Sequence, residues 1–142
     1  MDDVILSKIE SMKRCVDRIR AKTPSDKDIL FTDWDIQDII VVNLERVIQL
    51  SVDIASFILS ESDMQTSAPM TMAESFGYLY QAGIIRKQTA EKLQKSVGFR
   101  NIAVHAYRSI DWNVVYSVIT RNLKDFQEYA GEIMEWLERE KS

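Results

Sequence analysis

The chain has 142 residues, a length that fits one domain, so we predict a single domain over residues 1–142. Its 46% hydrophobic and 28% charged residues are typical of a soluble globular protein, and four glycines and two prolines are too few for a loop-rich all-β fold. The N-terminus MDDVILSKIE opens with two acidic residues, and no apolar run reaches the roughly 18 residues that a membrane helix needs. We therefore expect a cytoplasmic protein without a membrane segment.

The net charge of −4 argues against general binding to nucleic-acid phosphates, but the charge is distributed unevenly. Residues 86–108 contain six basic residues against the single acid Glu91, which gives this segment about +5 and leaves about −9 elsewhere. With one cysteine and one histidine the chain has no zinc cluster, and it has neither a glycine-rich phosphate loop nor a nucleophile elbow. We expect Cys15 to be a core residue and predict no cofactor.

The first half of the chain predicts two long helices. Apolar residues alternate at spacings of four and three over about 3–21, and Pro24 with the polar run SDKD then ends that pattern. The sequence TDWD supplies capping side chains for a second helix over about 33–60, which is apolar around most of its circumference and is therefore expected to be buried. A polar line runs along one face of this helix and requires a partner or a site: Arg46, Gln49, Asp53 and Ser56.

The second half predicts shorter helices and a final long one. Residues 60–70 form a polar connector, and Thr71 with Glu74 fits a capping box that opens a short helix ending near Gly83. Two short helices fit 71–97, Gly98 separates them from a helix over about 99–109, and Asp111 can cap the last long helix. The predicted fold is all-α, an up-and-down bundle of three long helices and two or three short ones.

Four residues whose side chains suit catalysis or binding lie within eight positions of one another in the basic segment: Arg100, Asn101, His105 and Tyr107. Arginine presents a planar, permanently charged fork that matches phosphate oxygens, and histidine can take or give a proton near neutral pH. In RNA the 2′-hydroxyl is an internal nucleophile, so a protein needs only to deprotonate it, stabilise the phosphorane and protonate the leaving oxygen, and no metal is required.

The spacing of the pair complicates this hypothesis. Five residues on a regular helix span about 140°, so Arg100 and His105 do not share a face. Three explanations are open: the length of the arginine bridges the gap, the helix begins irregularly, or the residues meet across subunits. A two-fold dimer would place two copies of each residue around one cleft, and the apolar second helix would give it a surface to bury.

Without further information each of these residues has a simpler structural interpretation. His105 can be an ordinary polar residue, Arg100 a solvated base, and Tyr107 a packing residue with an exposed hydroxyl. Asp53 can be the buried partner of an arginine or a residue that orients His105 or Arg100.

The string RNIAVHAY at 100–107 resembles the signature of the HEPN superfamily, in which an arginine followed by a polar residue precedes a histidine. The tyrosine two positions after the histidine makes it similar to HepT toxins, the HEPN partners of minimal nucleotidyltransferase (MNT) antitoxins. Other segments agree in the same order: LERVIQLSVDIASFIL, ESFGYLYQAGII and GFRNIAVHAYRSID, followed by a long last helix.

This resemblance implies an all-helical homodimer that cleaves RNA without a metal at a composite cleft, as the toxin of a type VII-like toxin–antitoxin pair. It implies catalytic roles for Arg100 and His105 and supporting roles for Asn101 and Asp53. It also implies that a cognate nucleotidyltransferase adenylylates Tyr107 and thereby neutralises the toxin.

Two alternatives belong to different classes of protein. Some relatives of this fold resemble non-cleaving companions that bind nucleotide or substrate for a nucleotidyltransferase, and the acidic chain would suit that role. A purely structural helical dimer, with the basic segment as a solvated face, is the other.

Overall fold

The protein is an all-helical bundle in a computed structural model that describes residues 2–62 and 70–141. Every regular element in those ranges is helical, which confirms the predicted fold class. The seven α-helices of the described residues are α1 (Asp2–Lys22), α2 (Lys27–Thr32), α3 (Trp34–Glu61), α4 (Met72–Gln81), α5 (Lys87–His105), α6 (Trp112–Ser117) and α7 (Lys124–Glu140). A 3-10 turn over Tyr107–Ser109 and a π-helical turn over Val118–Asn122 complete the set.

Helix α3 is the centre of the bundle, with α1, α2, α4 and α5 packed around it. The Asp33 carboxylate caps α3 by accepting a hydrogen bond from the Ile36 amide, as TDWD predicts. The polar run SDKD does more than end the pattern of α1, because its Asp26 caps a short helix, α2, whose Leu30 is fully buried. The sequence pattern misses α2 because six residues are too few to establish a helical period.

Helix α1 lies along α3 through one narrow apolar stripe, which agrees with the predicted seam. The buried residues of the stripe are Ile5, Met12, Cys15, Val16 and Ile19. Burial raises the pKa of the Cys15 thiol, so this residue is a packing residue of the core, as expected from the sequence.

Helix α4 begins with the predicted capping box, in which Glu74 and Thr71 each satisfy the other's backbone amide. The helix ends at Gln81, and Gly83 adopts φ +75°, the left-handed conformation that favours glycine after a helix. The connector predicted over 60–70 falls mostly on residues 63–69, which lie outside the described part of the chain.

Helix α5 corrects the predicted boundaries, because it runs without interruption through Gly98 and ends at His105. The expected short helix before Gly98 and the expected helix over 99–109 are one element followed by a 3-10 turn. Glycine costs a helix only about 1 kcal/mol relative to alanine, and burial of residues such as Leu93 and Val97 outweighs that cost. The bundle therefore has four long helices instead of three.

The start of α5 is fastened to α7 by one carboxylate. Glu132 accepts a hydrogen bond from the Arg86 amide at 2.6 Å and another from the Thr89 hydroxyl at 2.5 Å. The Arg86 side chain provides no cap of its own, so an acid from a distant helix neutralises the positive end of the α5 dipole. This contact fixes the register between α5 and α7.

The C-terminal part of the chain is one interrupted helix. Asp111 caps α6 as predicted, but the π-helical turn separates α6 from α7, whereas one long helix is expected from the sequence. The buried residues of α7 are Phe126, Tyr129, Ile133 and Leu137, and the Tyr129 hydroxyl donates to the Ser51 carbonyl of α3 at 2.8 Å. In the described ranges no helix is both long and apolar enough to span a membrane.

The Glu132 contact gives a stability prediction. Replacing Glu132 by alanine leaves the nearly buried Thr89 hydroxyl and the Arg86 amide without their acceptor, which should lower the free energy of unfolding by about 1–3 kcal/mol. Urea denaturation followed by circular dichroism measures this change. Glu135→Ala removes an exposed acid one turn away and is the matched control; an equal loss in both variants would contradict the capping role.

Candidate functional site

The last turn of α5 and the turn after it project from the bundle. Of residues 101–110 only Ala103 and Ile110 are buried, although the same helix is well packed up to Val97. Ile102 and Val104, two apolar residues in the last turn of the helix, are 43% and 46% exposed. The motif predicted from the sequence therefore lies on an accessible surface with an apolar component.

Arg100 and His105 both lie on regular α5, so an irregular start of the helix no longer explains their separation. At about 100° per residue, the shorter arc of about 140° between them contains Asn101 and Val104, both exposed. Arg100 is half-buried at one edge of this arc and His105 is exposed at the other. The two side chains thus flank an open strip of helix surface, about 7.5 Å apart along its axis.

The three polar side chains of this strip are not used for internal contacts. Across residues 2–62 and 70–141, Arg100, Asn101 and His105 make no side-chain hydrogen bond or ion pair. Arginine and histidine that hold a fold together normally have such partners. Both are therefore available to a ligand.

Tyr107 follows the helix in the 3-10 turn and reaches back to α3. Its hydroxyl donates a hydrogen bond to Asp38 Oδ1 at 3.0 Å, and its ring packs edge-on against Trp112 with 6.2 Å between the centroids. Partial burial, the hydrogen bond to Asp38, and the negative charges of Asp38 and Glu45 raise the pKa of Tyr107 to about 12. The side chain is still 41% exposed, so the hydroxyl is oriented but accessible.

Asp53 is not brought together with the motif within one chain. Its carboxylate accepts a hydrogen bond from Gln49 Nε2 at 2.8 Å, one turn earlier on α3, and this is its one hydrogen bond among the described residues. The polar line also does not lie inside the bundle: Arg46 and Ser56 are exposed, while Gln49 and Asp53 are half-buried. The line forms the outward face of α3, so it needs no buried partner.

The basic segment is partly neutralised by α7. Arg86 pairs with Glu128 and Glu132, and Lys92 pairs with Asp125 and Glu128, all at 3.5–3.7 Å. These partly exposed pairs neutralise two of the three basic residues at the start of α5, and Lys87 is not paired there. The other bases without an ion pair among the described residues lie toward the end of the segment: Lys95, Arg100 and Arg108.

Comparison with known proteins identifies the family. The family model described as "Ribonuclease HepT-like" matches residues 12–133, which is most of the chain. The chain belongs to the HepT-like family. The match includes all of α5, the helix on which the strip between Arg100 and His105 lies.

Individual relatives agree with this assignment. An mRNA nuclease HepT of Shewanella oneidensis is 34% identical over 133 residues, covering 94% of this chain and 98% of the relative. A tRNA nuclease HepT of Aphanizomenon flos-aquae is 27% identical over 134 residues, covering 94% and 90%. The solved structure of a tri-AMPylated Shewanella oneidensis HEPN toxin in complex with MNT antitoxin superposes with a TM-score of 0.87 at 32% identity, covering 95% of this chain and 99% of that one.

One residue in contact with the motif, Asp38, is missed by the sequence pattern. Asp38 is exposed on α3 eight positions before Arg46 and lies on the same side of the helix as the polar line, although Val42 between them is apolar. Extending the line in this direction would have pointed to Asp38, but its pairing with Tyr107 joins residues 69 positions apart. Elsewhere in the described part of the chain, no group of three or more His, Cys, Asp or Glu residues is arranged to hold a metal ion.

Proposed function

We propose that this HepT-like protein is the endoribonuclease toxin of a type VII-like toxin–antitoxin pair and acts in the cytoplasm without a metal. The observation that carries the proposal is the strip at the end of α5, where an unpartnered arginine and an unpartnered histidine flank one open surface. The family match and the two relatives named as HepT nucleases support the same activity.

Arg100 and His105 divide the chemistry of phosphodiester cleavage. The guanidinium of Arg100 binds the scissile phosphate and stabilises the extra negative charge of the pentacoordinate transition state. The imidazole of His105 transfers protons, from the attacking 2′-hydroxyl or to the leaving 5′-oxygen. Because both side chains lack hydrogen-bond and ion-pair partners among residues 2–62 and 70–141, neither must break a contact with that part of the chain before it binds RNA.

Two further residues support the pair. Asn101 lies one turn before His105 on the same face of α5, where its amide can orient the imidazole or the substrate. Asp53 contacts Gln49 within its own chain, so its supporting role depends on a facing second protomer.

We propose a homodimer with a composite cleft, because a reaction with two proton transfers needs an acid and a base and the chain has one histidine. The predicted source of the dimer surface was wrong: most apolar residues of α3 are buried inside the chain. The exposed apolar residues around the motif are a better candidate. They are Val42 on α3, Ile102 and Val104 on α5, Tyr107 in the 3-10 turn, and Val114 on α6.

The partner proposed for regulation is a cognate minimal nucleotidyltransferase that adenylylates Tyr107. The Shewanella relative was solved AMPylated and in complex with an MNT antitoxin, and here Tyr107 presents an accessible hydroxyl beside the catalytic strip. An adenylate at this position would place a negative charge beside the surface that receives the RNA phosphate.

The catalytic roles predict that His105→Ala lowers the rate of RNA cleavage by roughly 10²–10⁴-fold, because the proton-transfer group is lost. Arg100→Glu should reduce the rate at least as much, since the phosphate would meet a negative charge. Cleavage of a labelled RNA in the presence of EDTA measures both variants. Lys87→Glu makes the same charge reversal about 20 Å along α5 and should change the rate by less than about threefold.

Equal cleavage by the wild-type protein and both site variants would refute the nuclease assignment. Absence of RNA cleavage by the wild type, together with a stable complex with the nucleotidyltransferase, would favour the non-catalytic companion.

The regulatory role predicts that Tyr107→Phe abolishes adenylylation, because the accepting oxygen is absent. Intact-mass spectrometry after co-expression with the nucleotidyltransferase of the same gene pair should show added adenylate on the wild type alone. Tyr80→Phe is the matched control, since Tyr80 is 42% exposed on α4, nearly as much as Tyr107. Loss of the adenylate from Tyr80→Phe, with retention in Tyr107→Phe, would place the modification elsewhere.

The composite cleft predicts that Val104→Glu dissociates the dimer, because a buried unpaired carboxylate is costly at an interface. Sedimentation velocity should show the wild type as a dimer and the variant as a monomer with unchanged helical content. Met134→Glu introduces the same charge on α7 at a residue that is 45% exposed, nearly as much as Val104, and should leave the dimer intact. A monomeric wild type would contradict the composite cleft.

A further inference from the structure

The Tyr107 hydroxyl has one internal partner, and this partner is a carboxylate. Asp38 Oδ1 accepts the hydroxyl proton at 3.0 Å, within the range in which a general base removes a proton directly. Asp38 itself makes no ion pair among the described residues, and it lies on the exposed face of α3. The carboxylate is therefore not held in an ion pair within this part of the chain, and it is open to an approaching nucleotide.

The contact is held in place from both sides. The edge of the Trp112 ring limits the movement of the Tyr107 ring, and the 3-10 turn fixes its backbone directly after α5. Asp38 is anchored in the first half of α3, whose neighbouring residues Gln37 and Ile40 are buried. The alignment of hydroxyl and carboxylate thus exists before any partner binds.

We propose that Asp38 is the general base for adenylylation of Tyr107, an inference that rests on the proposed function. In the reaction, Tyr107 Oη attacks the α-phosphorus of a nucleoside triphosphate held by the nucleotidyltransferase. The Oη–P bond forms, the bond between the α-phosphorus and the bridging oxygen breaks, and pyrophosphate leaves. The hydroxyl proton passes to Asp38 Oδ1 and from there to solvent.

A base is needed here because the phenol does not ionise by itself at neutral pH. With a pKa of about 12, roughly one Tyr107 hydroxyl in 10⁵ is deprotonated at pH 7. A carboxylate cannot remove the proton in the ground state, but the hydroxyl becomes strongly acidic as the bond to phosphorus forms. Transfer to a carboxylate already in hydrogen-bond contact then needs no rearrangement.

The surroundings of the hydroxyl suit a phosphate-bearing substrate. Asp38 borders a surface groove of about 410 Å³ that is also lined by Arg18 of α1 and Arg46 of α3, two guanidinium groups that match phosphate oxygens. Glu45 of α3 is the other acid whose charge acts on Tyr107. The Trp112 ring of α6, which packs against the Tyr107 ring, is uncharged. Asp38 is the acid in direct contact with the hydroxyl.

The test compares two neutralising substitutions on α3. Asp38→Asn preserves the shape and an oxygen acceptor but cannot take the proton, whereas Glu45→Gln removes an equal charge that acts on Tyr107 without a hydrogen bond to it. Initial rates of adenylate incorporation are measured by intact mass, with full-length protein, ATP and the cognate nucleotidyltransferase. Asp38→Asn should lower the rate by roughly 10²–10⁴-fold, and Glu45→Gln by less than about threefold.

The pH profile separates a base from a residue that only positions the ring. In Asp38→Asn the rate should rise about tenfold per pH unit between pH 7 and 9, because the tyrosinate becomes the nucleophile, while the wild-type rate should be nearly flat. In the same variant the pKa of Tyr107, measured by NMR with ring-labelled tyrosine, should fall but stay above 10, since its partial burial persists. Thermal unfolding confirms that each variant is folded.

Two outcomes overturn the inference and differ in what else they affect. Equal rates and equal pH profiles for the wild type and Asp38→Asn would overturn the role of Asp38 alone. No adenylate on the wild-type protein would overturn the proposed regulation of Tyr107 and the inference with it.

Discussion

The attachment of α5 to α7 through Glu132 is the constraint on which the site depends. One carboxylate accepts from the amide of Arg86, the residue before α5, and from the hydroxyl of Thr89, so the helix begins at a fixed point on α7. From there α5 packs against α3 and α4 up to Val97, and beyond that point most of its residues are exposed and only Ala103 is buried. The residues of the motif are exposed because the anchored part of the helix supplies the stability that its last turn lacks.

The local signals of the sequence are sufficient for much of the fold. The apolar stripe of α1, the cap of α3 at Asp33 and the capping box at Thr71 each act within a few residues, and all three are present. Gly98 misleads for a physical reason: its position is exposed, it has no positive φ and an added Cβ would meet nothing within 4 Å, so nothing at this position requires glycine and the residue marks no turn. The π-helical turn before α7 is likewise invisible to a period-based prediction.

The site is less predictable because its contacts are long-range. The spacing of Arg100 and His105 predicts correctly that they lie on different faces of one helix, since both are in regular α5. The polar line of α3 indicates Asp53, whose hydrogen-bond partner in the described residues is Gln49, one turn away on the same helix. It does not indicate Asp38, whose hydrogen-bond partner Tyr107 lies 69 residues away in the sequence. No periodicity in a single sequence pairs such positions. The proposed second protomer adds contacts that one chain cannot display.

The charge distribution explains how an acidic chain can have a local anion-binding surface. The acids of α7 do not only repel an incoming phosphate, because Glu128 and Asp125 form ion pairs with Lys92 in the well-packed part of α5. Apart from Lys87, the bases of residues 86–108 that lack such a partner among the described residues lie toward the exposed end of the helix, and Arg100 is one of them, where a phosphate can reach it. Local potential, not net charge, therefore governs binding at this surface.

On the proposed function, modification of Tyr107 changes two properties of this surface together. The free hydroxyl donates its proton to Asp38 and so ties the 3-10 turn to α3. A phosphodiester at the same oxygen has no proton to donate and brings a negative charge beside Asp38 and Glu45, both of which already act on Tyr107. Without that tie the adenylate phosphate could pair with a guanidinium on this surface: Arg18 and Arg46 line the groove beside Asp38, and Arg100 lies near the end of α5. Pairing with Arg100, the guanidinium that we assign to the RNA phosphate, would block the site by occupying it.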